Sequence, residues 1–257
     1  LFTRSTAALM AAGSEAGRPP ALASAFGVTG SMRGLPALPG VRAEIEAVVG
    51  SGGSPGVLSG EGTLDAAFDR AALARGLGAG APVVHVASHF VLDPASLEGS
   101  FLVLGDGGAL SLREIRESPD LDFGGLDLLT LSACETGAGS GARRDGREVE
   151  SLGEIVQRAG ASAVLASLLR VDDASAPALM REFYRLRYVE GLGKAESLRG
   201  AQLSVMRGEG AGPAGERGTP VSGAGPALTR SAPSAWEGGG FSHPYFWAPF
   251  VVMGDWR

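Results

Sequence analysis

The sequence is poor in the residues that usually staple a fold, bind metals or carry amine chemistry. Among 257 residues there is one cysteine, Cys134, three histidines, His85, His89 and His243, and one lysine, Lys194. A lone cysteine excludes a disulfide framework within the chain and a cysteine-rich metal site. The three scattered histidines have no metal-ligand spacing, so neither a metal nor a cofactor is expected. The scarcity of lysine beside many arginines, with abundant Gly and Ala, reads as nucleotide bias of the source genome. No apolar run reaches membrane-spanning length, and residues 1–10 lack the charged-then-apolar layout of a leader. The first residue is Leu, which fits a piece cut from a longer chain. A net charge of −6 argues against nucleic acid and against an anionic membrane as partners. A reducing, cytoplasmic setting is expected from the cysteine usage.

What is present is a 44% hydrophobic chain, long enough for one substantial core. Residues 1–60 are weakly patterned. They contain a candidate strand at 22–28, an irregular stretch at 30–40 broken by Pro36 and Pro39, a helical pattern at 41–49 and a loop at 51–56. Thr63 can cap a helix running to about Arg75, with Leu64, Ala67, Phe68 and Ala71 on one face. Strands are expected at 83–87, 101–104, 126–131 and 163–169, the first and last of them buried. The strand at 126–131 is apolar except for Asp127 and Thr130. Ser111 and Glu114 form a capping-box pattern that opens a helix. Further helices are expected at 149–159, 174–189 and 194–206, and a last strand at 247–253. Residues 208–240 are mostly Gly, Ala, Pro, Ser and charges, and read as an exposed, mobile insertion. The alternation of strands and helices after residue 60 predicts an α/β domain over 1–257. Its mostly parallel sheet would have helices on both faces, with the chemistry beyond the carboxyl ends of the strands.

Two residues fall at such ends. In Val83-Val84-His85-Val86-Ala87-Ser88-His89-Phe90, His85 shares a face with Val83 and Ala87 and reads as a hydrogen-bonded core histidine. His89 stands where the strand becomes loop, in reach of solvent. In Leu131-Ser132-Ala133-Cys134-Glu135-Thr136-Gly137, the thiol follows a strand and precedes a Gly-bearing loop whose amides can bind an oxyanion. A lone cysteine can be a small buried hydrophobe or a nucleophile. A nearby imidazole decides for the nucleophile, because it takes the thiol proton and later returns it to a leaving amine. Two side chains suffice if a backbone group orients the imidazole.

Ser132-Ala133-Cys134-Glu135-Thr136-Gly137 resembles the nucleophile motif of CHAT domains, the bacterial branch of the caspase, separase and gingipain group. It is also similar to the caspase signature, whose histidine lies about 50 residues upstream, roughly as His89 precedes Cys134. The resemblance runs from about Gly34 to Trp256. It includes Leu35-Pro36-Ala37-Leu38-Pro39-Gly40, Leu152-Gly153-Glu154, Val164-Leu165-Ala166-Ser167-Leu168, Val171-Asp172-Asp173, Ala201-Gln202-Leu203 and His243-Pro244-Tyr245-Phe246-Trp247. It implies a caspase-like three-layer α/β sandwich and a cysteine endopeptidase acting on protein or peptide substrates through a thioester. It makes His89 the base and Cys134 the nucleophile, with the backbone amides of Phe90 and Cys134 at the oxyanion. Many relatives have Gly where Phe90 stands. Val171-Asp172-Asp173 resembles a separase segment that lines the pocket for a basic side chain, with Asp173 the better match and Asp172 beside it. That implies a preference for Arg or Lys before the cleaved bond. Either aspartate could instead cap the helix beginning near Ala174.

The Gly-rich stretch 137–141 lacks the Lys-Ser or Lys-Thr of a phosphate loop, and the following Arg143-Arg144 reads as an exposed, cleavable loop. His243-Pro244-Tyr245-Phe246-Trp247 reads as packing for the last strand. The rival to an enzyme is a catalytically silent CHAT domain that serves as an interaction module beside TPR repeats in a missing N-terminal part.

Overall fold

The computed structural model describes residues 21–93, 96, 98–132, 135–136, 160–167, 175–209 and 241–257. The expected helix at 149–159, the stretch 137–147 and nearly all of the expected insertion lie outside these residues.

Three apolar segments that read as buried strands are the centre of the molecule: β5 (Val83–Ala87), β9 (Leu128–Ser132) and β11 (Ala163–Ser167), every residue of which is buried. Strand β1 (Leu22–Gly27) lies beside β5. The edge strands are β4 (Ser59–Leu64) and β12 (Phe250–Gly254), giving the order β12-β11-β9-β5-β1-β4. Five strands are parallel, and β12 runs antiparallel on β11.

Side chains alternate across this sheet and divide the core in two. Ala25, Val83, Leu128 and Leu165 face helices α1 (Gly40–Val49), α4 (Ala176–Tyr184) and α5 (Lys194–Met206). Phe26, Val84, Leu129 and Val164 face α2 (Arg70–Gly78) and α3 (Leu112–Glu117). Burying each of the larger side chains contributes on the order of 2 kcal/mol. The result is a mixed α/β sandwich of the caspase-like kind with a mostly parallel central sheet. Among the described residues no helix is long and apolar enough to cross a membrane.

A second sheet has the order β10-β6-β7-β8, built from β6 (Phe90–Leu92), β7 (Phe101–Val103), β8 (Ala109–Ser111) and β10 (Glu135–Thr136). The expected turn at 105–108 joins β7 to β8. Ser111 caps α3 in the expected capping box, with Glu114 reaching back to the Ser111 amide.

The structure corrects the helix expected from Thr63. Residues 59–64 are a strand, Asp65–Ala67 is a single 3-10 turn, and the helix starts at Arg70, capped by Asp69. Leu64 and Phe68, four residues apart, pack on opposite sides of the sheet, so their spacing imitates a helical face without forming one. Gly60 hides the strand in the sequence, yet pairing requires it: a Cβ there would sit 1.9 Å from the Ala23 carbonyl oxygen. Smaller differences occur elsewhere. The loop at 51–56 holds a small hairpin of β2 (Gly50–Ser51) and β3 (Ser54–Pro55). The long helix is α-helical only to Tyr184, then continues as a π turn over Arg185–Val189. The last strand begins at Phe250, behind a 3-10 turn at Pro244–Phe246.

Asp127 just before β9 ties these layers at the amino end of the sheet. Its carboxylate lies 2.7 Å from Lys194 Nζ and accepts from the Tyr188 hydroxyl at 2.9 Å; Arg187 stands at 3.4 Å. Lys194 is 1% exposed and also donates to the Arg257 carbonyl at 3.1 Å. Burial alone would raise the Asp127 carboxyl, but Lys194, Tyr188 and Arg187 outweigh it and hold it below the usual carboxylate range. A depressed folded-state pKa stabilises above the unfolded value and loses that contribution as pH falls through the folded value. Asp127→Asn should therefore destabilise the domain by on the order of 2–4 kcal/mol near neutral pH, since it strips a buried ammonium of its charge partner. The difference from wild type should shrink below about pH 4. Urea melts at about pH 7 and pH 3 test this, and a difference that stays constant between them would count against it.

Candidate active site

His89 follows β5 by two residues and immediately precedes β6, so it sits where the chain passes from the central sheet to the second one. The neighbouring chain makes the same passage, with β9 ending at Ser132 and β10 starting at Glu135. The two passages are paired on both sides. Ala87 stands opposite Ser132 in the central sheet, and Val91 stands opposite Glu135 in the second. Cys134 lies outside the described residues, between these two flanks in the chain.

The His89 ring is 3% exposed, a correction to the expectation that it reaches solvent. Its Nε2 lies 2.8 Å from the Pro36 carbonyl oxygen. A carbonyl only accepts, so Nε2 carries the proton and Nδ1 is the proton-accepting nitrogen of the neutral ring. A backbone group thus orients the imidazole. Pro36 belongs to a loop that the described contacts hold at several points. Val28 N–H bonds the Ala87 carbonyl at 3.0 Å, Leu38 N–H bonds the Thr29 carbonyl at 2.9 Å, and Leu35 N–H bonds the Met32 carbonyl at 2.8 Å. The Arg33 guanidinium sits over the Phe101 ring, 5.2 Å from its centre.

Phe90 has ordinary negative φ and a side chain buried in the α2/α3 half of the core. Val103 N–H bonds the His89 carbonyl at 2.9 Å, and Phe90 pairs with Leu102 one step along. In an antiparallel ladder, hydrogen-bonded and non-bonded pairs alternate. The Phe90 amide therefore points away from β7, toward the β10 side. Ser88 fixes the approach from below, its hydroxyl donating to the Val103 carbonyl at 2.7 Å.

The family model of the CHAT domain matches residues 4–255. The chain belongs to the CHAT domain family. This is a caspase-like, peptidase-related family, which agrees with the fold. No curated protein matches the chain.

Asp172 and Asp173 of this CHAT domain lie outside the described residues. The helix expected from about residue 174 begins at Ala176 with Ser175 at the N-cap position, and the Ser175 hydroxyl donates to the Phe246 carbonyl at 3.0 Å. His243 Nδ1 accepts the Tyr245 amide at 3.1 Å and caps the Pro244–Phe246 turn. Pro36 acts through its carbonyl, which has no side-chain signature in the sequence. The signal available was its place in the matched Leu35–Gly40 block.

His85 is fully buried and faces the α1/α4 side of the sheet, as its place beside Val83 and Ala87 predicts. The Tyr184 hydroxyl donates to Thr130 Oγ1 at 2.7 Å and thus accepts from His85 Nδ1 at 3.0 Å. The Glu44 carboxylate lies 3.1 Å from His85 Nε2, out of line for a well-formed hydrogen bond. This network joins α1, β5, α4 and β9 through their interiors. Tyr184→Phe leaves a buried ring nitrogen and a buried hydroxyl short of a partner, and should cost about 1–3 kcal/mol. A denaturation midpoint equal to wild type would remove the network from the stability of the fold.

Proposed function

We propose that this CHAT domain is a cysteine endopeptidase in which His89 is the general base and Cys134 the nucleophile. The paired flanks carry this reading. The chain on either side of Cys134 is hydrogen-bonded to the chain on either side of His89, which supports an imidazole and a thiol within proton-sharing reach. The Pro36 bond supports it further, because it leaves Nδ1 as the basic nitrogen.

The reaction follows from these roles. The Cys134 thiol gives its proton to His89 Nδ1, and the thiolate attacks the carbonyl carbon of the scissile amide. The negative charge moves to the carbonyl oxygen, where the amides of Phe90 and Cys134 stabilise it. The tetrahedral adduct collapses as His89 returns the proton to the amine, which leaves and frees the C-terminal fragment of the protein or peptide substrate. The thioester remains. Water, deprotonated by the same ring, then attacks the thioester carbonyl and releases the carboxylic acid and the thiol. Charge-assisted pairing at Asp173, with Asp172 beside it, would select Arg or Lys before the cleaved bond.

Alkylation of the purified domain by iodoacetamide tests the dyad. Cys134 should react as a thiolate well below about pH 8, and His89→Ala should slow the reaction near neutral pH by on the order of tenfold. A thiol that titrates as free cysteine in the folded wild type would return the domain to the role of an interaction module. Specificity has its own test. Asp173→Ala should lower kcat/KM on substrates with Arg or Lys at the cleaved residue by on the order of 10–100-fold and leave alkylation unchanged. Undiminished cleavage would remove Asp173 from the pocket.

A further inference from the structure

We propose that Asp65 is a positioning residue for His89, acting through the loop whose Pro36 carbonyl holds the imidazole. This rests on the reading of His89 as the general base.

Asp65 stands just past the carboxyl end of β4, two strands away from β5. Its φ is +52°, a left-handed conformation that non-glycine residues seldom adopt, and Asp is among those that tolerate it. Such a conformation persists only where the surroundings over-determine it. Here they do so from both sides. The Asp65 carbonyl accepts the Phe68 amide at 2.7 Å, closing the 3-10 turn. The carboxylate reaches the other way, to the first residues of the Pro36 loop. Oδ1 accepts the Thr29 amide at 2.7 Å and, with Oδ2, the Thr29 hydroxyl at 2.8 and 2.9 Å. The Arg42 guanidinium lies 3.8 Å away. Burial works to raise this carboxyl, but these donors outweigh it and hold it below the usual range, so it is ionised near neutral pH.

The link from there to the ring is short. Thr29 is held by Asp65 through its amide and hydroxyl, and its carbonyl accepts the Leu38 amide at 2.9 Å. The two ends of the 29–38 stretch are thereby closed on a residue that the carboxylate fixes. Between them lies Pro36, whose carbonyl accepts from His89 Nε2. Without the carboxylate, two or more loop donors lose their acceptor, and the carbonyl that selects the ring tautomer loses its support. A carboxylate near a histidine usually bonds the ring directly. Here it acts on the backbone carbonyl that does so.

The test uses the whole chain with isotope-labelled histidine, and reads the solvent exchange of the His89 Nε2 proton by NMR beside the alkylation profile of Cys134. Asp65→Ala should speed the exchange by on the order of tenfold, equivalent to about 1.4 kcal/mol, and move the alkylation profile toward that of His89→Ala. Asp65→Gly should do the same although it removes the left-handed strain, which separates hydrogen bonding from backbone geometry. Asp65→Asn keeps an acceptor oxygen and tolerates positive φ, and should remain within about threefold of wild type. Exchange in folded Asp65→Gly equal to wild type overturns the proposal, as does failure of Asp65→Asn to rescue. If the Ala and Gly variants do not fold, Thr29→Val, which removes only the hydroxyl donor, reads the same link. Unchanged exchange there also overturns it. A protected, Asp65-dependent ring beside a thiol that titrates as free cysteine sinks the peptidase reading alone.

Discussion

β5 and β9 run parallel and in contact along five residues, and parallel pairing fixes which residues leave the sheet together. Ala87 and Ser132 are the last pair, and both chains then enter the second sheet, where they pair again. A slip of one residue in this register would turn one chain's next side chain to the opposite face. The registration rests on apolar burial, since both strands are covered on both faces and each side chain has one half of the core to occupy. The site inherits its geometry from that burial. Polar contacts refine it, among them the Pro36 carbonyl that orients the imidazole.

Polar residues near and within these strands join the layers. Asp127 binds the start of α5 and the π turn, and Thr130 receives the hydroxyl that α4 sends to the centre of the sheet. His85 meets Tyr184 and lies beside Glu44, so α1 and α4 are joined through the strand between them. An apolar residue at any of these places would pack, but it would not specify how far along the strand each helix sits. Directional contacts supply that information where hydrophobic contact cannot.

The legible parts of the sequence were those whose physics is local. Runs such as Val83–Ala87 and Ala163–Ser167 announce strands buried on both faces, and Ser111 with Glu114 announces a helix start. The Lys194–Met206 helix was read to both its ends. Strand β4 was illegible because Gly60 answers to a neighbour's backbone and Gly62 to the Ile45 side chain, instead of to a pattern of their own. At the site, His89 could be found from its place after a strand, and its burial could not, since that depends on a loop 50 or so residues earlier. Pro36 and Asp65 act through a carbonyl and through a left-handed turn, neither of which has a local signature in the chain. Cys134, Asp172 and Asp173 lie outside the described residues and stand on the sequence alone.

Lys194, walled in beside Asp127, is the sole lysine of the sequence. Acylation, amine cross-linking and isopeptide tagging all require an accessible ε-amine, and this side chain does not offer one. Among the described residues the side-chain cations other than histidine that reach solvent are therefore guanidinium groups. Guanidinium keeps its charge far into alkaline conditions, so this positive charge does not fade where lysine-bearing proteins lose theirs.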